Sequence, residues 1–366
     1  MLLLWGLLGS VQLGLVACQP SSFTNSSETQ TTAATSPATA LPCDAKFLGD
    51  WLETSPLPVA FESHAMVALG DFLYVIGGWN ESGGARTQVY VASLRAEGSV
   101  GDWQETKAPL PKPLQHHTAI AHNNTIYVFG GDNGFGGTVS DSVFQAIPAA
   151  NGDITEWTEV ARLPASLTLH GMTRVGDRVY LMGGVPRFDA AQADPLDTIY
   201  MAELGALSEP EPFQTTTPLP VATAWLAAAS TANQIYAVGG RLSLAANQLS
   251  NQVWVANVMA NGQLSAFRNA GAIEPRARHT ATVIDGNLLA TGGGGASAVL
   301  DTVPAASLDD NGQLLGWTPL VALPEPRYGH AALVHNGYFY LSGGFSQYSS
   351  FKARQTVFVA PICSER

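Results

Sequence analysis

Short apolar runs alternate with polar turns along most of this chain, and after the extreme N-terminus no segment keeps the hydrophobic period of a helix. Residues 117–160 contain four such runs, at 117–122, 125–129, 143–147 and 154–160. Asn123-Asn124 and Asn151-Gly152 lie between runs. Asn-Gly in such a place favours a hairpin because both central positions accept positive φ. The pattern therefore predicts four short antiparallel strands.

The same pattern recurs six times, and a glycine pair marks each copy. The pairs, 51 to 56 residues apart, are Gly77-Gly78, Gly130-Gly131, Gly183-Gly184, Gly239-Gly240, Gly292-Gly293 and Gly343-Gly344. A tyrosine lies three residues before each pair, except for Leu289 in the fifth copy, and a histidine lies thirteen residues before, except for Leu226 in the fourth. The histidines are His64, His117, His170, His279 and His330. A late aromatic follows in five copies, at Trp103, Trp157, Phe213, Phe267 and Trp317. Because the glycine pairs, tyrosines, histidines and late aromatics recur at the same spacing, the chain is predicted to contain one structural unit copied six times.

Four antiparallel strands repeated at about 50 residues are typical of a β-propeller blade. In the double glycine, the preceding tyrosine and the late tryptophan, residues 43–363 resemble the kelch family. The resemblance implies an all-β, six-bladed kelch-type propeller with four antiparallel strands per blade. The departures at Leu226, Phe213 and Leu289 concern the packing of the fourth and fifth blades.

The two ends of the chain are expected to close the ring. The last repeat ends after its third strand, 356–361, so its fourth strand should be the N-terminal piece 46–54, which carries Trp51. Aligning the first repeat with both ends puts Cys43 and Cys363 on one repeat position. We therefore predict a Cys43–Cys363 disulfide, worth roughly 5 kcal/mol as an upper figure for a loop of this length. The alternative is two unrelated free thiols.

The N-terminus carries signals for export. The apolar run 1–17 is short for a membrane span and indicates an export signal. It ends in Leu15-Val16-Ala17-Cys18, which resembles the bacterial lipoprotein box and implies lipidation of Cys18 in a bacterial cell envelope. The run has no preceding Lys or Arg, and an ordinary cleaved signal is the alternative. We expect residues 1–18 to be the signal and lipobox, 19–42 a flexible Ser/Thr/Ala-rich tether, and 43–366 the propeller.

The charge excludes some partners. The chain has 17 Lys+Arg and 29 Asp+Glu, a formal net charge of -12, and no basic stripe, so nucleic acid is not expected to bind. No phosphate loop, His-Glu-x-x-His motif or Ser-His-Asp context is present, and we predict no metal and no cofactor. We expect a monomer.

The strand order assigns the loops to two faces. Short turns within blades form one face, whereas the connections after the glycine pairs and between blades form the other, named here the long-loop face. Its prominent residues are Trp79, Phe135, Arg187, Phe188, Arg241, Phe345, Tyr348 and Phe351. Such residues suit sugar rings or a protein surface, or they pack the loops against one another.

Two adjacent repeats share a longer match, 274–279 and 325–330. We expect Arg276 and Arg327, with His279 and His330, at the rim of the central channel, where arginine would pair with an anion. The alternative is a structural role, since the histidine recurs in five repeats and Arg276 has a carboxylate nearby.

Two functions follow from these features. The favoured one is a lipid-anchored binding or scaffold module for a glycan or a protein, using Trp79, Arg241, Phe345 and Tyr348. The alternative is an enzyme, because the chain is similar to bacterial sialic acid mutarotases in blade count, repeat type and export. That resemblance implies a base and a carboxylate clamp. The candidate bases are Glu62, Glu274 and Glu325, and the candidate clamps are Arg276 and Arg327.

Overall fold

A computed structural model describes residues 47–189 and 194–363 of the chain. The predicted signal, the lipidation site Cys18, the tether and Cys43 lie outside the described residues. No helix among the residues described is long and apolar enough to cross a membrane.

The predicted all-β, six-bladed propeller is confirmed, with four antiparallel strands in each blade. From the channel outward, the first strands of blades 1 to 6 are Ala65–Leu69, Thr118–His122, Gly171–Val175, Ala227–Ser230, Thr280–Ile284 and Ala331–His335. The second strands are Phe72–Ile76, Thr125–Phe129, Arg178–Met182, Gln234–Val238, Asn287–Thr291 and Tyr338–Ser342. The third strands are Val89–Ser93, Ser142–Ala146, Ile199–Glu203, Gln252–Asn257, Pro304–Leu308 and Val357–Pro361. The outer strands are Gln104–Glu105, Thr158–Arg162, Gln214–Thr215, Arg268–Ala272, Leu314–Pro319 and, for blade 6, Leu52–Thr54.

The predicted closure of the ring by an N-terminal strand is also confirmed. Leu52–Thr54 pairs antiparallel with Val357–Pro361, and Leu52 lies opposite Val359. A further bridge joins Leu48 to Ile362. Cys363 follows directly and is buried. Because its predicted partner lies outside the described residues, the disulfide stays a prediction.

Within the described residues, three small elements lie outside the four-stranded blades. Two hairpins, Trp79–Asn80 with Gly84–Ala85 and Arg241–Ser243 with Gln248–Leu249, extend the long-loop face of blades 1 and 4. A single 3-10 turn, Leu204–Ala206, follows the third strand of blade 3.

The glycine pairs lie where blades meet. Both members have positive φ, for example +62° at Gly343 and +85° at Gly344, a backbone conformation that glycine adopts without strain. A Cβ on Gly343 would lie 2.4 Å from the carbonyl oxygen of Phe61 and 2.6 Å from Cε1 of His64, both at the start of blade 1. The first glycine of each pair therefore allows the next blade to approach.

Members of the tyrosine and tryptophan rows form hydrogen bonds across the same boundaries. The Tyr74 hydroxyl donates to the carbonyl of Gly152, in a turn of the next blade, at 2.9 Å. The indole N–H of Trp103 donates to the carbonyl of Ser55, just after the end of blade 6, at 3.0 Å. Trp51, in the closing strand, donates to Val321 in the same way. Apolar clusters fill each boundary between neighbouring blades.

Candidate binding site at the mouth of the central channel

The histidine row lines the central channel. With Leu226 and the first residues of the inner strands, the histidines enclose a cavity of about 250 Å³. They are 5–6% exposed. Burial lowers the pKa of His64, His170 and His330 to about 3, with His117 as the second cause for the first two and Arg327 for the third. At neutral pH these rings carry no charge, so the row offers no cationic site.

Arg276 does not lie at the channel rim, where it was expected. Its side chain is 1% exposed and donates to the carbonyl of Gly292 at 3.0 Å and to Glu274 at 3.0 Å. Arg276 is absent from the channel lining. Its guanidinium instead lies among residues of the outer strands of blades 4 and 5. Its donors are occupied, so it is not a clamp for a ligand at the rim.

Arg327 repeats this arrangement one blade later. It is fully buried and donates to the carbonyl of Gly343 at 3.1 Å and to Glu325 at 2.8 Å. Glu274 and Glu325 therefore neutralise arginines between the blades, which removes both from the candidate bases. Of the three carboxylates named from the sequence, Glu62 is the one that reaches the mouth.

Six residues form a ring at the channel mouth on the long-loop face. Each directly precedes a member of the histidine row, and each has positive φ, between 50° and 64°. This mouth ring consists of Ser63, His116, Leu169, Trp225, Arg278 and Gly329. Five backbone hydrogen bonds of 2.7–3.1 Å join them in the order Leu169, Trp225, Arg278, Gly329, Ser63 and His116. Because each residue belongs to a different blade, the six surround the axis.

Arg278 is the cation of the mouth ring. Its side chain is 19% exposed and donates from Nη2 to Glu62 at 2.6 Å and to the Ser63 hydroxyl at 3.0 Å. The same atom lies 3.5 Å from Nε2 of His116. The Ser63 hydroxyl also donates to Glu62. Arg278 is held in place by groups from blades 1 and 2, across the mouth from its own blade.

Two guanidinium groups pack over the ring of Trp225. Arg278 lies 5.3 Å and Arg241 5.0 Å from its ring centroid, and Arg278 also lies 4.9 Å from the ring of Tyr328. Burial, and then the charge of Arg278, lowers the pKa of Arg241. Among the described residues, no carboxylate forms a salt bridge with Arg241. Glu62 thus pairs with Arg278, whereas Arg241 forms no salt bridge with a described carboxylate.

His116 and Asp132 form a buried pair beside Arg278. His116 Nδ1 lies 2.9 Å from Asp132, which also accepts from Gln115 at 2.8 Å and from Thr168 at 2.6 Å. Burial alone would raise the pKa of Asp132, but the charge of His116 and these hydrogen bonds outweigh it and hold the pKa below its usual value. With Nδ1 occupied, Nε2 of His116 faces Arg278 and the mouth.

Aromatic side chains form two walls around the mouth. On one side Phe188 packs edge-on against His116 and Trp225, and the 66% exposed Phe135 packs on Phe188. On the other side lie Tyr328, Phe345, Trp79, Tyr348 and Phe351.

Of the residues named from the sequence, Phe345 is 3% exposed and Trp79 packs on it, so both pack the loops. Tyr348 is 42% exposed and donates from its hydroxyl to Gly295 at 2.8 Å. Arg241 reaches the mouth. Arg187 lies near Asp189 at 3.7 Å.

Among the described residues, Trp225 Nε1, Arg278 Nε and Arg241 Nε are buried N–H groups without a hydrogen-bond partner. A buried donor left without a partner is costly. In the part of the chain that the structure describes, no group of three or more His, Cys, Asp or Glu converges on a metal site.

Sequence reasoning missed His116, Asp132, Trp225, Arg278 and Tyr328. The mouth ring has no common residue type, so no row in the alignment marks it. A signal was nevertheless present for His116, Trp225 and Arg278, because each directly precedes a position of the histidine row.

Comparisons with known proteins agree with this architecture. A family model described as the KLHDC2/KLHL20/DRC7 Kelch-repeats domain matches residues 63–293 and 169–358. Kelch domain-containing protein 10 of Rattus norvegicus is 26% identical over 309 residues, 78% of this chain and 72% of that protein. The Homo sapiens protein of that name is 25% identical over 312 residues, 78% of this chain and 66% of that protein. The structure of YjhT matches with a TM-score of 0.68 at 15% identity, covering 84% of this chain and 99% of that one, which shows the fold alone. The chain belongs to the kelch-repeat family that the matching model describes.

Proposed function

We propose that this protein is a binding module that takes an anionic group of a glycan or protein ligand at the mouth of its channel. The observation that carries the proposal is the pair Arg278 and Arg241, both stacked on Trp225. Glu62 forms a salt bridge with Arg278. An anion bound between Arg278 and Arg241 would supply a second negative charge.

The local charge contrasts with the whole chain. The formal net charge is -12, yet the mouth concentrates two guanidinium groups around the indole of Trp225. Arginine binds carboxylates and phosphates through paired, charge-assisted hydrogen bonds. Partial burial strengthens such bonds because water competes less for the donors.

The aromatic walls favour a sugar acid as the group bound. The half-buried ring of Trp225 lies beside the cations, and Tyr348 and Phe135 are exposed around them. A sugar ring stacks its C–H faces on such rings while its carboxylate pairs with arginine.

The test is titration of the protein with N-acetylneuraminate and glucuronate, with N-acetylglucosamine as the neutral comparison. We expect the acids to bind, salt to weaken them, and Arg278→Ala to remove binding. Arg162→Ala is the matched control, because it deletes an arginine with a 63% exposed side chain on the outer strand of blade 2. Equal binding of acids and neutral sugar, or equal loss in both variants, would reject an anion site at the mouth.

A second candidate is sugar mutarotation, favoured by Glu62 and the His116–Asp132 pair at the same mouth. Opening a sugar ring requires a base for the anomeric hydroxyl proton and an acid for the ring oxygen. Glu62 and His116 are placed for these roles, with Arg278 holding the carboxylate. The measurement is the anomerisation rate of N-acetylneuraminate by NMR exchange. A rate unaffected by added protein rejects this candidate and leaves the binding module.

We also propose that Cys18 carries a lipid that anchors the protein at the bacterial cell envelope, and that a Cys43–Cys363 disulfide fastens the closed ring. The lipobox-like segment supports the first. The buried Cys363, next to the closing strand, supports the second.

A further inference from the structure

Asn-Gly pairs are sites of chemical modification as well as of turns. The chain contains five, at 133–134, 151–152, 261–262, 311–312 and 336–337. Asparagine deamidates readily before glycine, because glycine has no side chain to hinder the attack of its own backbone nitrogen on the asparagine Cγ. The attack requires a free glycine N–H and space for the peptide to rotate. These two requirements separate the five pairs.

In four pairs the glycine N–H already donates a hydrogen bond. For Gly152, Gly262 and Gly312 the acceptor is the backbone carbonyl three residues earlier, at 2.8 Å in each case. For Gly134 it is the Asp132 carboxylate, at 2.9 Å. The first three glycines are also buried against a neighbouring blade, where an added Cβ would lie 2.6 Å from another side chain. The nitrogen that would attack is therefore occupied in these four turns.

The fifth pair, Asn336-Gly337, is not held in this way. It forms the two-residue turn between the two inner strands of blade 6, where His335 lies opposite Tyr338. Both turn residues are exposed, and a Cβ on Gly337 would meet nothing within 4 Å. Among the described residues, neither the Gly337 N–H nor the Asn336 side chain has a hydrogen-bond partner. The attacking nitrogen and its target are thus both free.

We propose that Asn336 is the site at which this protein deamidates. The Gly337 nitrogen loses its proton to hydroxide and attacks Cγ of Asn336. The Cγ–Nδ2 bond breaks, the amide nitrogen takes a proton from water and leaves as ammonia, and a succinimide ring remains. Water then opens the ring at either carbonyl, which gives an aspartate or an isoaspartate at position 336. The net change is the gain of a water molecule and the loss of ammonia, and it adds a negative charge.

Isoaspartate at this position acts on the closure of the ring. It inserts an extra carbon into the backbone of a turn that is built for two residues. The Gly337 carbonyl accepts from the N–H of Ile362 at 2.8 Å, and Ile362 forms a bridge to Leu48 near the N-terminal closing strand. A longer turn displaces this acceptor, so the place where the two chain ends meet is loosened.

The first test is incubation of the purified protein at mildly alkaline pH, followed by peptide mapping with electron-transfer fragmentation. This method distinguishes asparagine, aspartate and isoaspartate at each Asn-Gly pair. We expect position 336 to deamidate roughly tenfold faster than each of the other four, since those must first break the hydrogen bond of the glycine N–H. Equal rates at all five positions would overturn the proposal.

Hydrogen exchange of the Ile362 N–H tests the effect on the closure. Its rate should rise with the fraction of isoaspartate in aged protein. It should stay constant on ageing in Asn336→Gly, which accepts the φ of 48° but has no amide to cyclise. Asn336→Asp is the matched control, because it adds the charge without lengthening the backbone, so when fresh it should exchange as the unaltered protein does. Unchanged exchange in protein that carries isoaspartate, or equally fast exchange in fresh Asn336→Asp, would reject the effect on the closure.

Discussion

Replacing His170 by leucine should make the propeller more resistant to acid. His170 is 6% exposed in the channel wall, and its Nε2 lies 2.8 Å from the Thr118 hydroxyl. Leucine fits this place, because Leu226 fills it in the next blade: a Cβ on Gly183 would lie 3.1 Å from Leu226, and one on Gly130 would lie 3.3 Å from His170.

The magnitude follows from the pKa of His170. Burial, and then the charge of His117, lowers it from 6.5 to about 3. Between these pH values the unfolded histidine binds a proton that the folded one does not, so the free energy of unfolding falls as the pH falls below 6.5. At pH 5 this one group costs about 2 kcal/mol, at about 1.4 kcal/mol per pH unit. Leucine removes that cost and forfeits one hydrogen bond, about 1 kcal/mol at any pH.

The assay is urea unfolding at pH 7.5 and pH 5, comparing midpoints at constant m-value. His170→Leu should gain about 2 kcal/mol relative to the unaltered protein between the two conditions. Thr118→Val is the control, because it removes the hydrogen bond and keeps the titrating ring, so its effect should not depend on pH. A leucine variant that is destabilised equally at both pH values would refute the burial of a neutral histidine.

Other predictions test the boundaries, the buried carboxylate and the ends of the chain. Gly343→Ala should destabilise by about 2–4 kcal/mol in denaturant titration, since left-handed backbone and a backbone clash add; Gly337→Ala, at φ +79° with open space around it, should cost only about 1 kcal/mol. Asp132→Asn should cost about 1–3 kcal/mol at pH 7, and the cost should shrink as the pH falls below 3.8 through the lowered pKa of Asp132. Cys363→Ser should lower the melting temperature only under non-reducing conditions, and Cys18→Ala should abolish labelling by a fatty-acid analogue. Four results would contradict these predictions. They are equal destabilisation by the two glycine variants, a cost of Asp132→Asn that does not change with pH, a melting temperature of Cys363→Ser that is lowered regardless of reductant, and fatty-acid labelling that persists in Cys18→Ala.

The sequence predicts the fold because the scaffold repeats. The glycine pairs and the tryptophans recur at successive blade boundaries, and the tyrosines recur in the second strands, so their spacing identifies blades and strands. Even the closing strand follows, because Trp51 bonds to Val321 as Trp103 bonds to Ser55.

The site was harder to predict because function lies where the repeat varies. Arg276 and Arg278 are two residues apart, and extended backbone would point both the same way. The left-handed backbone of Arg278, at φ 54°, breaks that alternation. Arg276 is therefore buried between blades, whereas Arg278 lies at the mouth. Glu62 and Arg278 are 216 residues apart and meet only because the ring closes.

We propose that Arg278 and Arg241 hold a ligand's anionic group over Trp225. A high-resolution crystal structure of the protein soaked with N-acetylneuraminate and glucuronate is the decisive measurement. We predict density for a carboxylate within hydrogen-bonding distance of Arg278 or Arg241, with the sugar ring near Trp225. Sugar density elsewhere on the propeller, or an empty mouth at ligand concentrations that give binding in solution, would contradict the claim.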